Sequence, residues 1–78
     1  MITVDILSPE WSKHLEAEAV FLPGALGEFE VLKNHAPIIS LLTRGRIRWR
    51  IAGEEQSMEI NGGVMSLRNN RMEICVEA

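Results

Sequence analysis

The sequence predicts an all-β fold, and three observations support that prediction. Apolar and polar residues alternate with a period of two in several short segments, as in strands that bury one face. Glycine, proline and asparagine recur between these segments, where tight reversals need them. The chain has 78 residues, which is enough for one domain, and many short strands with closely spaced turn signals are typical of a sandwich or a barrel.

The first strand is predicted at the amino terminus. Ile2, Val4 and Ile6 share one face of an extended chain. Thr3 and Asp5 take the other face. We therefore expect the three apolar side chains to point into the core.

The segment from Pro9 to Ala19 is compatible with two structures. Ser8 followed by a proline resembles a capped helix start, and the residues after Trp11 form helices well. An alternation also fits a strand, with Glu16 and Glu18 facing water and the opposite face formed by Leu15, Ala17, Ala19 and Phe21. We favour strands, because the family resemblance described below places strands here and tertiary context often overrides weak propensity.

The clearest strand signal is an alternation of arginines with apolar residues in the second half of the chain. An extended segment would direct the apolar side chains inward and the arginines outward, whereas a helix would scatter the arginines around its circumference. The inward set is Ile47, Trp49 and Ile51, and the outward set is Arg46, Arg48 and Arg50. Trp11 and Trp49 are expected to pack either in the core or at an interface, and the core is favoured for both.

Three turn signals follow this strand. Gly53 with Glu54 is expected to turn the chain into a strand around residues 56–60. Asn61-Gly62-Gly63 permits positive φ, and therefore a tight reversal or a bulge. Asn69-Asn70 precedes the last strand, Met72 to Val76, and asparagine tolerates the left-handed conformation.

Composition excludes several classes of protein. No stretch reaches the roughly 18 uncharged apolar residues of a membrane helix, and no secretory signal is visible at the start. The single cysteine, Cys75, has no partner for an internal disulfide, which fits a reducing compartment. We expect Cys75 to be a strand residue of no special reactivity. The net charge of −3 is uneven, because all six arginines lie between residues 44 and 71, and such asymmetry can mark an interaction surface.

No catalytic, metal or cofactor site is predicted. His14 and His35 lack a second ligand at metal-binding spacing. The segment from Gly24 to Gly27 is too short to cradle a phosphate. Serines and acids are present, but no nucleophile elbow or paired-acid motif accompanies them.

The stretch LPGALGEFEVLKNHAPIISLL, residues 22–42, resembles the epsilon subunit of F-type rotary ATP synthases. The resemblance rests on the order and spacing of short motifs rather than on any single one, and it covers essentially the whole chain. The matching positions are Leu22-Pro23-Gly24, Gly27-Glu28-Phe29, His35-Ala36-Pro37-Ile38, Gly45, Gly62-Gly63 and Asn70.

The resemblance implies a flattened β-sandwich of about ten short strands over residues 1–78, the amino-terminal domain of that subunit. Most family members continue into a hairpin of two helices, which carries inhibition of ATP hydrolysis. Here the sequence ends at Ala78, directly after the last predicted strand. We therefore expect no carboxyl-terminal helical hairpin and no inhibition of that kind.

The resemblance also implies which residues meet partners. Glu28, His35, Ala36 and Pro37 match family positions in loops that contact the c ring and the gamma subunit. The polar imidazole and carboxylate suit a polar interface, and the proline reduces the cost of ordering its loop. The glycines nearby are expected only to shape turns. Some neighbours depart from the family pattern: Glu30 replaces a usual glycine, and Lys33-Asn34 replaces a frequent proline-glycine pair, although an asparagine can still make a left-handed turn.

The arginine face, Arg44, Arg46, Arg48 and Arg50, has three alternative roles. The side chains could pair across the hairpin with Glu55 and Glu59, or meet an acidic partner. Four spaced cations could also follow phosphates. The nucleic-acid role is disfavoured, because the domain is acidic and no aromatic residue is predicted on that face to stack bases.

By resemblance, the chain is a non-catalytic rotor subunit of a proton-translocating ATP synthase. Its implied partners are the gamma subunit and the c ring, with the alpha and beta subunits in the same complex, at the cytoplasmic face of a bacterial membrane. A partner-facing strip of exposed apolar side chains is expected. The alternative is a free-standing β-sandwich module that binds an acidic partner through the arginine face.

Overall fold

The computed structural model describes residues 1–77, and all regular secondary structure in this range is β-strand. None of these residues belongs to a helix of the length and apolarity needed to cross a membrane. The strands within the range are β1 (Ile2–Leu7), β2 (Ser12–Ala17), β3 (Ala19–Gly24), β4 (Gly27–Leu32), β5 (Ile38–Leu42), β6 (Gly45–Ile51), β7 (Glu54–Ile60), β8 (Gly62–Arg68) and β9 (Arg71–Glu77). The all-β prediction is therefore confirmed.

The strands form one continuous sheet that curls into two layers. The strand order is β2-β1-β9-β8-β5-β3-β6-β7, and β4 pairs with β3 beside that path. The two layers are joined where β5 meets β3 through a single residue pair, Gly24 and Leu42. We call the layer from β2 to β5 the first layer, and β3, β4, β6 and β7 the second layer. The β1–β9 pair is parallel and the other pairs are antiparallel.

The core lies between the two layers and is almost wholly aliphatic. The predicted alternation is confirmed, since Ile2 and Ile6 are fully buried and so is Ile47 at the centre of β6. Trp49 is also buried, and its indole nitrogen finds no hydrogen-bond partner. The prediction for Trp11 was wrong. Its side chain is 38% exposed, because it precedes β2 in a turn outside the two layers.

The segment after Ser8 is a turn followed by a strand, not a helix. The Ser8 hydroxyl accepts hydrogen bonds from the backbone N–H groups of Glu10 and Trp11, and this turn leads directly into β2. All six residues of β2 then pair with β1. That pairing buries Leu15 and Ala17, a gain that outweighs the helix propensity of the segment.

Two tight hairpin turns use positive φ at both central residues, as two-residue hairpin loops require. Asn69 and Asn70 join β8 to β9 with φ values of 52° and 60°, as predicted. The β6–β7 turn lies one residue earlier than predicted. Ala52 and Gly53 have φ values of 51° and 78°, so Glu54 is already the first residue of β7.

The Asn61-Gly62-Gly63 segment carries the chain from the second layer to the first. β7 pairs with β6 and β8 pairs with β9, so this segment is a corner rather than a hairpin. Gly63 is required by close approach, because an added Cβ would overlap the carbonyl oxygen of Cys75 on β9.

Candidate functional site

Apolar side chains are exposed on the outer face of the first layer and at the adjoining hairpin tip. Leu41 and Ile39 on β5 are 67% and 78% exposed, and Val64 on β8 is 42% exposed. Leu26, at the tip of the β3–β4 hairpin, is fully exposed. Residues of this size are rarely left in water together unless a partner covers them.

Strand register places Leu41 and Val64 in one row with Cys75 and Leu7. Leu41 is the pairing partner of Val64, Val64 of Cys75, and Cys75 of Leu7. Neighbouring strands lie about 4.8 Å apart, so the row crosses four strands over about 14 Å. Leu26 and Ile39 extend it, since both line one open cavity of about 590 Å³ with Leu41. We call the whole set the apolar patch: Leu7, Leu26, Ile39, Leu41, Val64 and Cys75.

The sequence contained a local signal for part of this patch. The β5 sequence, Ile-Ile-Ser-Leu-Leu, has apolar residues at both alternating positions, so apolar side chains must point outward as well as inward. Val64 likewise occupies an outward position of β8. The expected strip of exposed apolar side chains is therefore present, but its residues differ from the predicted site residues. The row across β1, β9, β8 and β5 depends on long-range register, which periodicity does not reveal.

The predicted loop residues His35, Ala36 and Pro37 connect β4 to β5, and all three are exposed. The backbone N–H of His35 donates to the carbonyl of Leu32 at 3.3 Å. The imidazole Nδ1 lies 2.7 Å from the carbonyl oxygen of Ala36. These two contacts hold the loop in a turn while its residues stay exposed.

Glu28 does not accompany this loop. The resemblance implied that Glu28 lies in a partner-contacting loop, but it is the second residue of β4, and the His35 loop follows the other end of that strand. From Glu28 to Leu32 an extended strand rises about 13 Å. The Glu28 carboxylate instead accepts a hydrogen bond from Arg48 Nη2 at 2.9 Å. The structure thus separates the four predicted interface residues into two places.

The arginine face is largely paired within the chain. Arg46 donates to Glu59 at 3.1 Å, and Arg48 donates to Glu55 at 3.2 Å as well as to Glu28. Pairing with Glu55 and Glu59 across the hairpin is therefore confirmed for these two arginines. The guanidinium of Arg48 also lies 4.4 Å from the centre of the Phe21 ring, a favourable cation–π distance.

Electrostatics keep Arg48 charged. Partial desolvation alone would lower the pKa of Arg48, but the carboxylates of Glu28 and Glu55 and their hydrogen bonds together raise it above its ordinary value. Arg48 is therefore a permanent cation between two acids.

The other two arginines differ from the predicted pattern. Arg44 precedes β6, so it does not share the strand face with the other three. Arg50 is on the strand, and its guanidinium lies 6.0 Å from the Phe21 ring centre. Phe21 is an aromatic residue on this face that the sequence had not placed there. It is covered by arginines, not open for stacking.

Within residues 1–77, no group of three histidine, cysteine or carboxylate side chains could hold a metal ion. Asp5 and His14 pair at 2.7 Å on the outer face of β1 and β2, in register across those strands. Two residues do not make a metal centre, and nothing in this arrangement resembles an acid–base pair in a cleft.

Fold and surface together define a small β-sandwich that exposes a contiguous patch of apolar side chains. Over residues 1–78 the chain matches the family described as the beta-sandwich domain of the ATP synthase delta/epsilon chain. The chain belongs to this family, whose epsilon members are non-catalytic subunits of ATP synthase. The resemblance inferred from the sequence is confirmed.

Individual relatives agree with this assignment. The chain is 37% identical over 76 residues to the ATP synthase epsilon chain of Desulfitobacterium hafniense (strain DSM 10664 / DCB-2), covering 96% of this chain and 58% of that protein. It is 38% identical over 76 residues to the chloroplastic epsilon chain of Tetradesmus obliquus, covering 94% and 54%. The chain thus spans somewhat more than half the length of these relatives.

Solved structures share the fold. A chain in the mitochondrial ATP synthase of Euglena gracilis, solved with its OSCP, F1 and c-ring parts, matches with a TM-score of 0.92 at 18% identity, covering 99% of this chain and 51% of that one. A chain in the central stalk and c-ring structure of Tetrahymena thermophila mitochondrial ATP synthase matches with a TM-score of 0.84 at 13% identity, covering 99% and 63%. At these identities the likeness establishes the fold.

Proposed function

We propose that this chain is a central-stalk subunit of a proton-translocating F-type ATP synthase, linking the gamma subunit to the c ring. The observation that carries the proposal is the apolar patch. A sandwich with a complete core still exposes Leu26, Ile39 and Leu41 together, which is costly in water unless a partner surface covers them. Membership of the delta/epsilon family supports the choice of other ATP synthase subunits as that partner.

The apolar patch and the His35 loop suit two different partners. A surface of aliphatic side chains fits a lasting contact, as between rotor subunits that turn together, and we assign it to gamma. The exposed imidazole and the rigid proline of the loop fit the polar loops of a c ring. The strand ladders between these surfaces would transmit torque, because each layer is hydrogen-bonded along its length.

Glu28 enters this proposal in a changed role. Its carboxylate is already engaged by Arg48, so a contact to an arginine of the ring would have to share or displace that pair. Together with Ala36 and Pro37, Glu28 and His35 remain the proposed ring-facing residues. Replacing Glu28 and His35 by alanine is expected to weaken coupling without unfolding the domain, and unchanged proton pumping by the assembled variant would contradict this.

The location of the chain follows from the proposed assembly. As part of the rotor, the chain would sit peripherally at the cytoplasmic face of a bacterial membrane, with the alpha and beta subunits in the same complex. The regular secondary structure described in residues 1–77 is all β-strand, so we propose that this segment does not itself inhibit ATP hydrolysis. ATP hydrolysis measured with and without this segment tests the proposal, and strong inhibition would overturn it.

Co-purification tests the proposed assembly. We expect the tagged chain, expressed in its source cell and solubilised gently, to recover gamma, the alpha and beta subunits and the c ring. Leu41→Asp would place a charge in the apolar patch and should abolish recovery of gamma. Gln56→Asp, at an exposed position of β7 that pairs with Trp49 and not with an arginine, is the matched control and should leave recovery unchanged. Equal recovery with both variants would refute the assignment of the patch.

Cys75 offers an independent readout. It is the single cysteine of the chain, it is exposed, and it lies within the apolar row between Leu7 and Val64. A maleimide should therefore label the free chain readily and the assembled chain slowly. Equal labelling rates in both states would mean that the apolar row stays open in the complex.

The alternative function is a free-standing module that binds an acidic partner through the arginine face. Two of the four arginines are paired with the chain's own carboxylates, which reduces the charge available to such a partner. A steep salt dependence of binding to generic nucleic acid or to an acidic protein would favour this alternative.

A further inference from the structure

We infer that Asn70 is the positioning residue of the His35 loop. Asn70 lies in the β8–β9 turn, 36 residues away from Asn34 in the β4–β5 loop. Its side-chain oxygen accepts a hydrogen bond from the backbone N–H of Asn34 at 2.6 Å. Its side-chain nitrogen donates to the Asn34 side-chain oxygen at 3.1 Å. We call these two bonds the amide clamp.

The amide clamp joins the β4–β5 loop to the β8–β9 turn, and a backbone bond joins that turn to β1. The carbonyl oxygen of Asn70 accepts a hydrogen bond from the backbone N–H of Thr3 at 2.8 Å, so the residue that holds the loop is itself fixed to β1. Asn34 and Asn70 both adopt positive φ, 65° and 60°. Both asparagines therefore have two roles. Each adopts a left-handed backbone that few residue types accept, and each side chain takes part in the clamp.

The loop needs this external support. The backbone N–H of Asn34 faces the β8–β9 turn, and a left-handed residue cannot continue the ladder of β4 to satisfy that group. Immediately beyond Asn34 the loop presents His35, Ala36 and Pro37 to solvent. Fixing Asn34 on the rigid hairpin thus sets where these three residues stand, and ordering them before a partner arrives lowers the cost of binding.

Amide hydrogen exchange on the isolated chain tests the clamp. Asn70→Gly keeps the left-handed turn and removes both side-chain bonds, so the Asn34 N–H should exchange at least about tenfold faster, the rise expected from losing a bond of about 1.4 kcal/mol. Asn69→Gly is the matched control. Asn69 is also left-handed, and no side-chain bond from it is seen in residues 1–77, so this variant should leave the Asn34 exchange rate unchanged.

Asn70→Asp separates the two bonds. A carboxylate can still accept from the Asn34 N–H but cannot donate to the Asn34 side chain, so it should restore most of the protection lost in Asn70→Gly. This variant also keeps the test decisive if Asn70→Gly folds poorly. Unchanged exchange at Asn34 in Asn70→Gly, or no recovery in Asn70→Asp, would overturn the inference.

The consequence for docking rests on the proposed function. Binding to a purified gamma–c-ring assembly should weaken about tenfold in Asn70→Gly, while Asn69→Gly binds as the unmodified chain does. Full binding by Asn70→Gly would show that the clamp does not position the docking loop. If the unmodified chain fails to bind at all, the proposed function fails, and amide exchange still decides whether Asn70 holds the loop.

Discussion

Glu28 and Arg48 form an ion pair of 2.9 Å between β4 and β6, across the intervening strand β3. Arg48 meets Glu55 on the opposite side at 3.2 Å. One cation therefore joins three strands of the second layer over the face of Phe21. Arg46 and Arg48 are thus engaged within the chain, which reduces the charge that the arginine face offers to a partner.

This network predicts unequal effects of two arginine substitutions. Arg48→Ala would leave two carboxylates and an aromatic ring without their cation, whereas Arg46→Ala removes a single exposed pair with Glu59. We expect the urea midpoint to fall further for Arg48→Ala than for Arg46→Ala. Equal midpoints would show that the network adds nothing beyond a surface pair.

Titration of the Arg48 guanidinium should not change its stabilising effect between neutral and mildly alkaline pH. Because the pKa of Arg48 is raised in the folded chain, its contribution is present below the pKa of the unfolded chain and is lost only as the pH rises through the folded pKa. The midpoint difference between Arg48→Ala and the unmodified chain should therefore persist from neutral to mildly alkaline pH. If the midpoint difference disappeared in that pH range, the inference that Arg48 stays positively charged would be wrong.

Two isoleucines, one in the core and one on the outer face of the first layer, should separate the effects of substitution on stability and on docking. Ile47 is fully buried, so Ile47→Ala should lower the free energy of unfolding by about 2–5 kcal/mol. Ile39 is 78% exposed, so Ile39→Ala should change it by no more than about 0.5 kcal/mol. Denaturant unfolding measures both.

Recovery of gamma should depend on Ile39, the residue whose replacement hardly changes stability. Ile39→Ala should weaken recovery of gamma although the domain remains stable, because Ile39 belongs to the apolar patch. A large loss of stability in Ile39→Ala would mean that this side chain supports the fold rather than a partner contact.

Replacement of Gly63, in the corner between the layers, by a larger residue should destabilise the fold. In Gly63→Ala the new Cβ would overlap the carbonyl oxygen of Cys75, and relieving such overlap costs about 1–3 kcal/mol. Gly53→Asn is the matched control, because the Gly53 site has open space and asparagine accepts its φ of 78°. A denaturation series in which Gly53→Asn is the more damaging change would contradict this reasoning.

The two tryptophans should report different environments. Trp49 is 3% exposed and Trp11 is 38% exposed. In Trp11→Phe the remaining emission should be blue-shifted and poorly quenched by iodide, and in Trp49→Phe it should be red-shifted and readily quenched. Similar quenching in the two variants would mean that the core around Trp49 admits solvent.

The sequence by itself determined the strands with clear alternation and the buried side of each of them. Alternation at Ile2, Val4 and Ile6 and at Ile47 and Trp49 is a local property, because successive side chains of any strand point to opposite faces. The left-handed turn at Asn69 and Asn70 was equally local, since few residue types tolerate that backbone. The motifs of residues 22–42 were sufficient to indicate the family.

The tertiary structure decided which strands became neighbours. The resemblance grouped Glu28 with the His35 loop as partner-contacting residues, but Glu28 lies near the opposite end of β4 and pairs with Arg48, 20 residues away in the chain. Asn34 meets Asn70 across 36 residues. The apolar row was likewise fixed by pairings among four strands. Such contacts depend on register between distant segments, which is set by packing of the whole core and not by the pattern within any one strand.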